Sequence, residues 1–270
     1  MSKTNRKSAF TLIELLVVIA IIALLLSIIA PSLKKAKYYA RRIIDRNNLK
    51  SLGMAMQLYL NSSKDRFFNY PAADTPNYLW LQMIGDQVGN IDDVRFCPET
   101  TAATQDVANR FANKSIWGES SKPWLWGRSA MSNKLYEMGS YGINGWLYAD
   151  CEQWVPVTMK DYPFKKRSDA RVPSLTPLFL DANWVDSWPD NTNVLPATGY
   201  NYSLGDQTSG TTSTAIGRFV MDRHGPETNI VFLDGHAETL PHAALWSLSW
   251  HAKSRPNYTP VIPKPEPQDK

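Results

Sequence analysis

The sequence predicts an α+β protein: a long N-terminal helix, membrane-spanning in its first half, packed by its second half on a head with an antiparallel β-sheet. Three observations predict it. Residues 12–30 are apolar apart from Ser27 and a single carboxylate, Glu14. Residues 32–61 then repeat apolar positions at three- and four-residue steps, the helical period. Near the C-terminus, two short β-rich segments flank Asp234-Gly235, a pair suited to a tight hairpin turn.

The 19 residues of 12–30 make a helix of about 28 Å at about 1.5 Å per residue, close to the roughly 30 Å hydrocarbon core of a bilayer. One helix can cross. A carboxylate at such depth costs roughly 2.5–3.5 kcal/mol on insertion scales, so Glu14 needs a partner. Lys3, Arg6 and Lys7 precede the span, and Lys34, Lys35, Lys37, Arg41 and Arg42 follow it. Basic residues therefore flank both ends, and the positive-inside rule sets no orientation. Leu33, Ala36, Ala40, Ile43, Ile44, Leu52, Ala55, Met56 and Tyr59 continue the helix. Gly53 weakens it by about 1 kcal/mol relative to Ala, and Asn61-Ser62-Ser63 ends it. Residues 10–61 would form a rod of roughly 78 Å.

In the head, Thr75-Pro76 signals the start of a second helix running to about Asp86. Strands are expected at 139–148, 175–181, 217–222, 229–233 and 236–240. The last two read as a hairpin with a two-residue type I′ turn, placing Leu233 opposite His236 and Phe232 opposite Ala237. Residues 241–250 suggest a final short helix. The stretches 111–130 and 182–216, rich in Ser, Thr, Asn, Gly and Trp, read as surface loops, and 256–270 as a Pro-rich tail. The chain thus divides into residues 1–9, a helix over 10–62, a head over 63–255 and the tail.

Charge is distributed unevenly. Of 29 Lys and Arg and 25 acids in the chain, residues 1–62 hold ten and two, which leaves the remainder 19 against 23. A basic juxtamembrane segment suits lipid headgroups, whereas a mildly acidic head offers no footprint for nucleic acid.

Lys7-Ser8-Ala9-Phe10-Thr11-Leu12-Ile13-Glu14-Leu15 resembles the N-terminus of type IV prepilins and type II secretion pseudopilins. In those families a short basic leader is cut before a Phe, and Glu stands fifth after the cut. The resemblance implies cleavage between Ala9 and Phe10 by a prepilin peptidase, N-methylation of Phe10, and assembly with other pilin or pseudopilin subunits through Glu14. Glu14 would neutralise the Phe10 amine of its own chain or of a neighbour. Pro31 matches the place where many of these helices bend. The same resemblance implies a pilin-like fold, an inner-membrane secretion platform as partner, and a single-pass protein of the bacterial inner membrane with its head in the periplasm or at the cell surface. A secretory signal peptide fits poorly, because Ile28-Ile29-Ala30 lacks the small-residue pair before a cut and Pro31 follows.

His224, nine residues, then Asp234-Gly235 resembles a processing-associated motif near the C-terminus of many bacterial prepilin-type proteins. Arg95-Phe96-Cys97-Pro98, Ser140-Tyr141-Gly142-Ile143-Asn144, Pro173-Ser174, Leu178-Phe179-Leu180-Asp181 and Leu245-Trp246 occur in the matching order. Residue chemistry gives the motif a structural reading: Asp234-Gly235 turns the chain and His224 anchors the loop before it. Calcium is the alternative, because some major pseudopilins hold it in a C-terminal loop, and Asp181, Asn183, Asp186 and Asp190 supply oxygens within ten residues. No other cofactor is expected. The extracytoplasmic head implied by the leader permits a Cys97–Cys151 disulfide, worth roughly 4 kcal/mol for a loop of about 55 residues, although each Cys also suits a small buried hydrophobic position.

Catalysis finds little support. His224 and Asp234 with Ser203 lack a nucleophile elbow, and His224, His236, His242 and His251 lack zinc-site spacing. No enzyme is expected. Trp117, Trp124, Trp126, Trp184 and Trp188 either pin loops to the core or offer ring faces to a ligand. The competing reading of the whole chain is accordingly a membrane-anchored extracytoplasmic binding module for a glycan or a client protein.

Overall fold

The computed structural model describes residues 11–70, 79–100, 116–126, 137–153, 155–195, 199–208 and 214–254. The leader, the Thr75-Pro76 helix start and the Pro-rich tail lie outside them. Two compact units are distinguished, residues 1–41 and 42–270, and each is described by itself.

Helix α1 spans Leu12–Ser62. It starts on a capping box: Glu14 N–H donates to Thr11 Oγ1 at 3.2 Å, and the Glu14 carboxylate accepts from the Thr11 backbone N–H at 2.8 Å. Two amide donors that the helix leaves unpaired are satisfied in this way. In the first unit every described side chain up to Lys37 is exposed, and the helix continues through Pro31. It is long and apolar enough to cross a membrane.

In the second unit α1 buries one stripe: Asp45, Leu49, Leu52, Gly53, Ala55, Met56 and Leu60. Gly53 has a packing reason, since a Cβ there would lie 2.5 Å from Val231 Cγ2. The helix ends where Lys64 and Asp65 turn left-handed (φ 56° and 61°). Arg167 holds that end, donating to Gln57 Oε1 at 3.0 Å and Asn61 Oδ1 at 3.3 Å and pairing with Asp65.

The stripe lies on a five-stranded sheet of order β5-β3-β4-β6-β7, formed by β3 (Tyr141–Asn144), β4 (Pro177–Asp181), β5 (Asp186–Ser187), β6 (Glu227–Phe232) and β7 (Ala237–Pro241). All neighbours are antiparallel except β3 and β5. Two further strands, β1 (Trp124–Trp126) and β2 (Glu137–Gly139), pair separately. Helix α2 is Trp80–Gly85. Trp80, Trp124, Trp146, Trp246 and Trp250 fill the core. Each indole N–H donates to a backbone carbonyl, at 2.6–3.0 Å, so burial leaves no indole donor of the five unpaired.

Four expectations are corrected. Residues 217–222 are not a strand. The chain there makes 3₁₀ turns, Ala215–Arg218 and Asp222–His224, because a short buried apolar run has no periodicity to separate strand from helix. Residues 182–193 are mostly buried rather than a surface loop. Asn side chains take the place of missing backbone partners there: Asn183 Nδ2 donates to the Leu204 and Asp206 carbonyls at 2.7 and 2.8 Å, and Asn191 Nδ2 to those of Trp246 and Leu248 at 2.7 and 2.9 Å. The strand expected over 139–148 stops at Asn144, whose side chain caps a 3₁₀ turn, Gly145–Leu147.

The fourth concerns the β6–β7 hairpin. Its register pairs Val231 with Ala237 and Ile230 with Glu238, which puts Phe232 opposite His236 and leaves three residues in the loop. Phe232 N–H donates to the His236 carbonyl at 2.9 Å and Gly235 N–H to that of Phe232 at 2.9 Å. Within the loop, Leu233 to Gly235, only Gly235 has positive φ (91°). This is the three-residue loop of a turn followed by a left-handed Gly, not a type I′ turn. Phe232 consequently stacks on His236, 4.5 Å between ring centroids.

Candidate functional site

Two places carry functional chemistry, the start of α1 and a cluster buried beneath its second half. At the start of α1, Glu14 is exposed and bonded to Thr11 through the capping box. Ala9 and Phe10 lie outside the described residues.

The cluster joins residues far apart in sequence. Asp45 comes from the buried stripe of α1, Asp181 from the end of β4, and His224 from the 3₁₀ turn before β6. Asp45 and His224 are 0% exposed and Asp181 2%, so bulk solvent screens them little. His224 Nε2 lies 3.1 Å from Asp45 Oδ2 and 3.4 Å from both Asp181 Oδ2 and Cys97 Sγ. Tyr141 Oη donates to Asp45 Oδ1 at 2.6 Å, and Asn229 Nδ2 to Asp45 Oδ2 at 2.6 Å. Arg223 Nη1 donates to Asp181 Oδ1 at 2.9 Å and to the Ser140 carbonyl at 2.7 Å. Its other nitrogens reach the carbonyls of Glu119, Ser120 and Ala182.

Burial alone would lower the His224 pKa, but the Asp181 and Asp45 carboxylates outweigh it and raise it to about 10. Burial likewise favours the neutral Asp181 acid, yet His224 and Arg223 hold that carboxyl well below its ordinary range. The Cys97 thiol is pushed well up, first by burial and then by the two carboxylates. The cluster is a closed network of two aspartate side chains, an imidazole, a guanidinium and a thiol.

The two ends of the His-x9-Asp-Gly pattern do separate things. Asp234 sits in the exposed hairpin loop, accepting from His236 N at 3.1 Å and lying 2.6 Å from its Nδ1. His224 is in the buried cluster. The disulfide expectation is corrected: Cys97 and Cys151 are both free and buried. Cys97 faces His224, and Cys151 is pushed up to about 12, mainly by burial. The side chains named for calcium have separate surroundings. Asp181 is taken by Arg223 and His224. Asn183 Nδ2 donates to two carbonyls while its Oδ1 is buried with no hydrogen-bond partner among the described residues, and Asp186 faces Arg218 Nη1 at 3.7 Å. Asp190 instead pairs with His251 at 3.1 Å.

Asp45 was missed, although it had a signal. It falls on the apolar stripe with Leu49, Leu52 and Met56, where a charge is out of place. Among the loop tryptophans, Trp124 and Trp188 are buried. Trp184 packs in tilted pairs with Trp117 and Trp126, with ring centroids 4.2 and 5.5 Å apart, and the Arg218 guanidinium lies over Trp117 at 4.7 Å. All three are half-buried.

Comparison with known proteins bears on the first place. Residues 4–30 match the family model of the prokaryotic N-terminal methylation motif. Over 58 residues, 22% of this chain, the sequence is 40% identical to prepilin peptidase-dependent protein A of Clostridium perfringens (strain 13 / Type A). The match spans 41% of that relative's length. No solved structure matches the chain. The N-terminal segment is that of a prepilin- or pseudopilin-like protein, carried on an α+β fold of pilin-like layout.

Proposed function

We propose that this chain is a structural subunit of a type II secretion or related pilus-like filament. A prepilin peptidase cuts between Ala9 and Phe10, and Phe10 is methylated. Residues 12–30 hold the subunit in the inner membrane with the head outside the cytoplasm, until a secretion platform moves it into the filament. In this reading the chain is a leader to residue 9, a helix to 62, a head to 255 and a tail. The reading rests on the Phe10-to-Glu14 order at the head of an apolar helix, together with the match of residues 4–30 to a methylation motif.

The Glu14 carboxylate already sits at the helix N-terminus, where partial positive charge collects. After cleavage a new ammonium on Phe10 stands one residue upstream of Thr11. The carboxylate can exchange its bond to Thr11 for a pair with an ammonium, its own or that of a neighbour in register. In a dry filament core the second pairing favours assembly, since an isolated ammonium there carries a large desolvation cost.

The test is co-expression with and without a prepilin peptidase, followed by shearing of cells. Wild type and Glu14→Ala should both be shortened by the peptidase, and only wild type should enter the sheared filament fraction. Normal incorporation of Glu14→Ala would refute the pairing, and failure of the peptidase to shorten either protein would refute the processing.

A further inference from the structure

We propose that Asp45, Cys97, Asp181 and His224 form a structural zinc site tying α1 to β4 and to the turns that carry Cys97 and His224. Four ligand atoms, two carboxylate oxygens, a thiol sulfur and an imidazole nitrogen, lie within 4.8 Å of one another, and all four residues are buried. Zinc in closed structural sites takes four such ligands as a tetrahedron, with Zn–N and Zn–O at about 2.0–2.2 Å and Zn–S at about 2.3 Å. Tetrahedral geometry then sets N–O edges of about 3.3 Å and N–S edges of about 3.5 Å. The three distances from His224 Nε2 are 3.1, 3.4 and 3.4 Å.

Hydrogen bonding accounts for this arrangement less well. Nε2 carries at most one hydrogen, which cannot point at three partners at once. A metal at the centre of the four atoms would use the Nε2 lone pair and satisfy all three neighbours together.

The surroundings fit the ion as well. Tyr141 and Asn229 orient the Asp45 carboxylate, and Arg223 orients that of Asp181, which is the outer-shell support that holds metal ligands in place. Two carboxylates and a thiolate around a divalent ion leave one net negative charge, which the Arg223 guanidinium bonded to Asp181 offsets. One sulfur and one nitrogen beside two oxygens select against calcium and magnesium, which take all-oxygen shells. With four protein ligands and no exposed face, the ion would hold structure and leave no position for a substrate.

Full-length chain purified in detergent without chelator should carry stoichiometric zinc by elemental mass spectrometry. X-ray absorption should show one sulfur at about 2.3 Å and three nitrogen or oxygen ligands at about 2.0–2.2 Å. The cobalt-substituted protein should show a thiolate-to-cobalt charge-transfer band. Cys97→Ser, if folded by circular dichroism, should lose that band and most of the zinc, whereas Cys151→Ser should keep both. If Cys97→Ser does not fold, the wild-type cobalt spectrum decides: the band supports the site and its absence overturns it. Wild type that neither holds nor takes up zinc, or that holds iron or copper there instead, also overturns it.

Discussion

Gly53→Ala sets helix propensity against packing. In an isolated helix the change favours folding by about 1 kcal/mol. In the folded protein the new methyl would meet Val231 Cγ2 at 2.5 Å, more than 1 Å inside carbon–carbon contact. Val231 cannot easily yield: it is 0% exposed, lies on β6 between β4 and β7, and is stiff at χ1 because it is β-branched. Overpacking of this kind costs about 1–3 kcal/mol, and the upper part of that range applies where neither backbone can retreat. The net expectation is a loss of about 1–2 kcal/mol. Urea unfolding of the full chain in detergent, followed by tryptophan fluorescence, measures it. In a Val231→Ala background the clash is gone, and the same Gly53→Ala change should become neutral or stabilising. A neutral or stabilising effect in the wild-type background would refute the close approach of α1 to β6.

Gly235→Val should destabilise the chain by more than about 1 kcal/mol. The cost is purely one of backbone, since φ is 91° and nothing lies within 4 Å of a Cβ at that position; Gly235→Asn should cost less, and equal stabilities in urea would contradict the loop conformation. His242 is held neutral, mainly by burial, with its pKa lowered to about 4. Its folded pKa is below the unfolded one, so stability is lost as pH falls from about 6.5 through 4, by at most about 3 kcal/mol. His242→Gln should flatten that loss relative to wild type in melts at pH 7 and 4, and identical slopes would refute the assignment. Alkylation of the unreduced chain, denatured with chelator present, should label both Cys97 and Cys151, whereas no labelling would restore the disulfide.

The parts of the fold legible in the sequence were those with local periodicity. The stripe from Ala36 to Tyr59 and the alternation about Asp234-Gly235 gave α1 and the β6–β7 hairpin. The hairpin register was not legible, because Asp-Gly suits a two-residue loop as well as the three-residue loop found, and one residue of slip turns every side chain over. The buried Asn-rich stretch after β4 looked like surface because its side chains carry hydrogen bonds that backbone usually makes. At the N-terminus the site is contiguous and could be read directly. The cluster could not, since His224 and Asp45 stand 179 residues apart and only the sheet beneath α1 brings them together.

The mature N-terminus tests the account most directly. Intact mass and fragment spectra of the protein isolated from cells containing a prepilin peptidase should show a chain beginning at N-methylated Phe10. A chain that still begins at Met1, or one cut near Pro31, would contradict it.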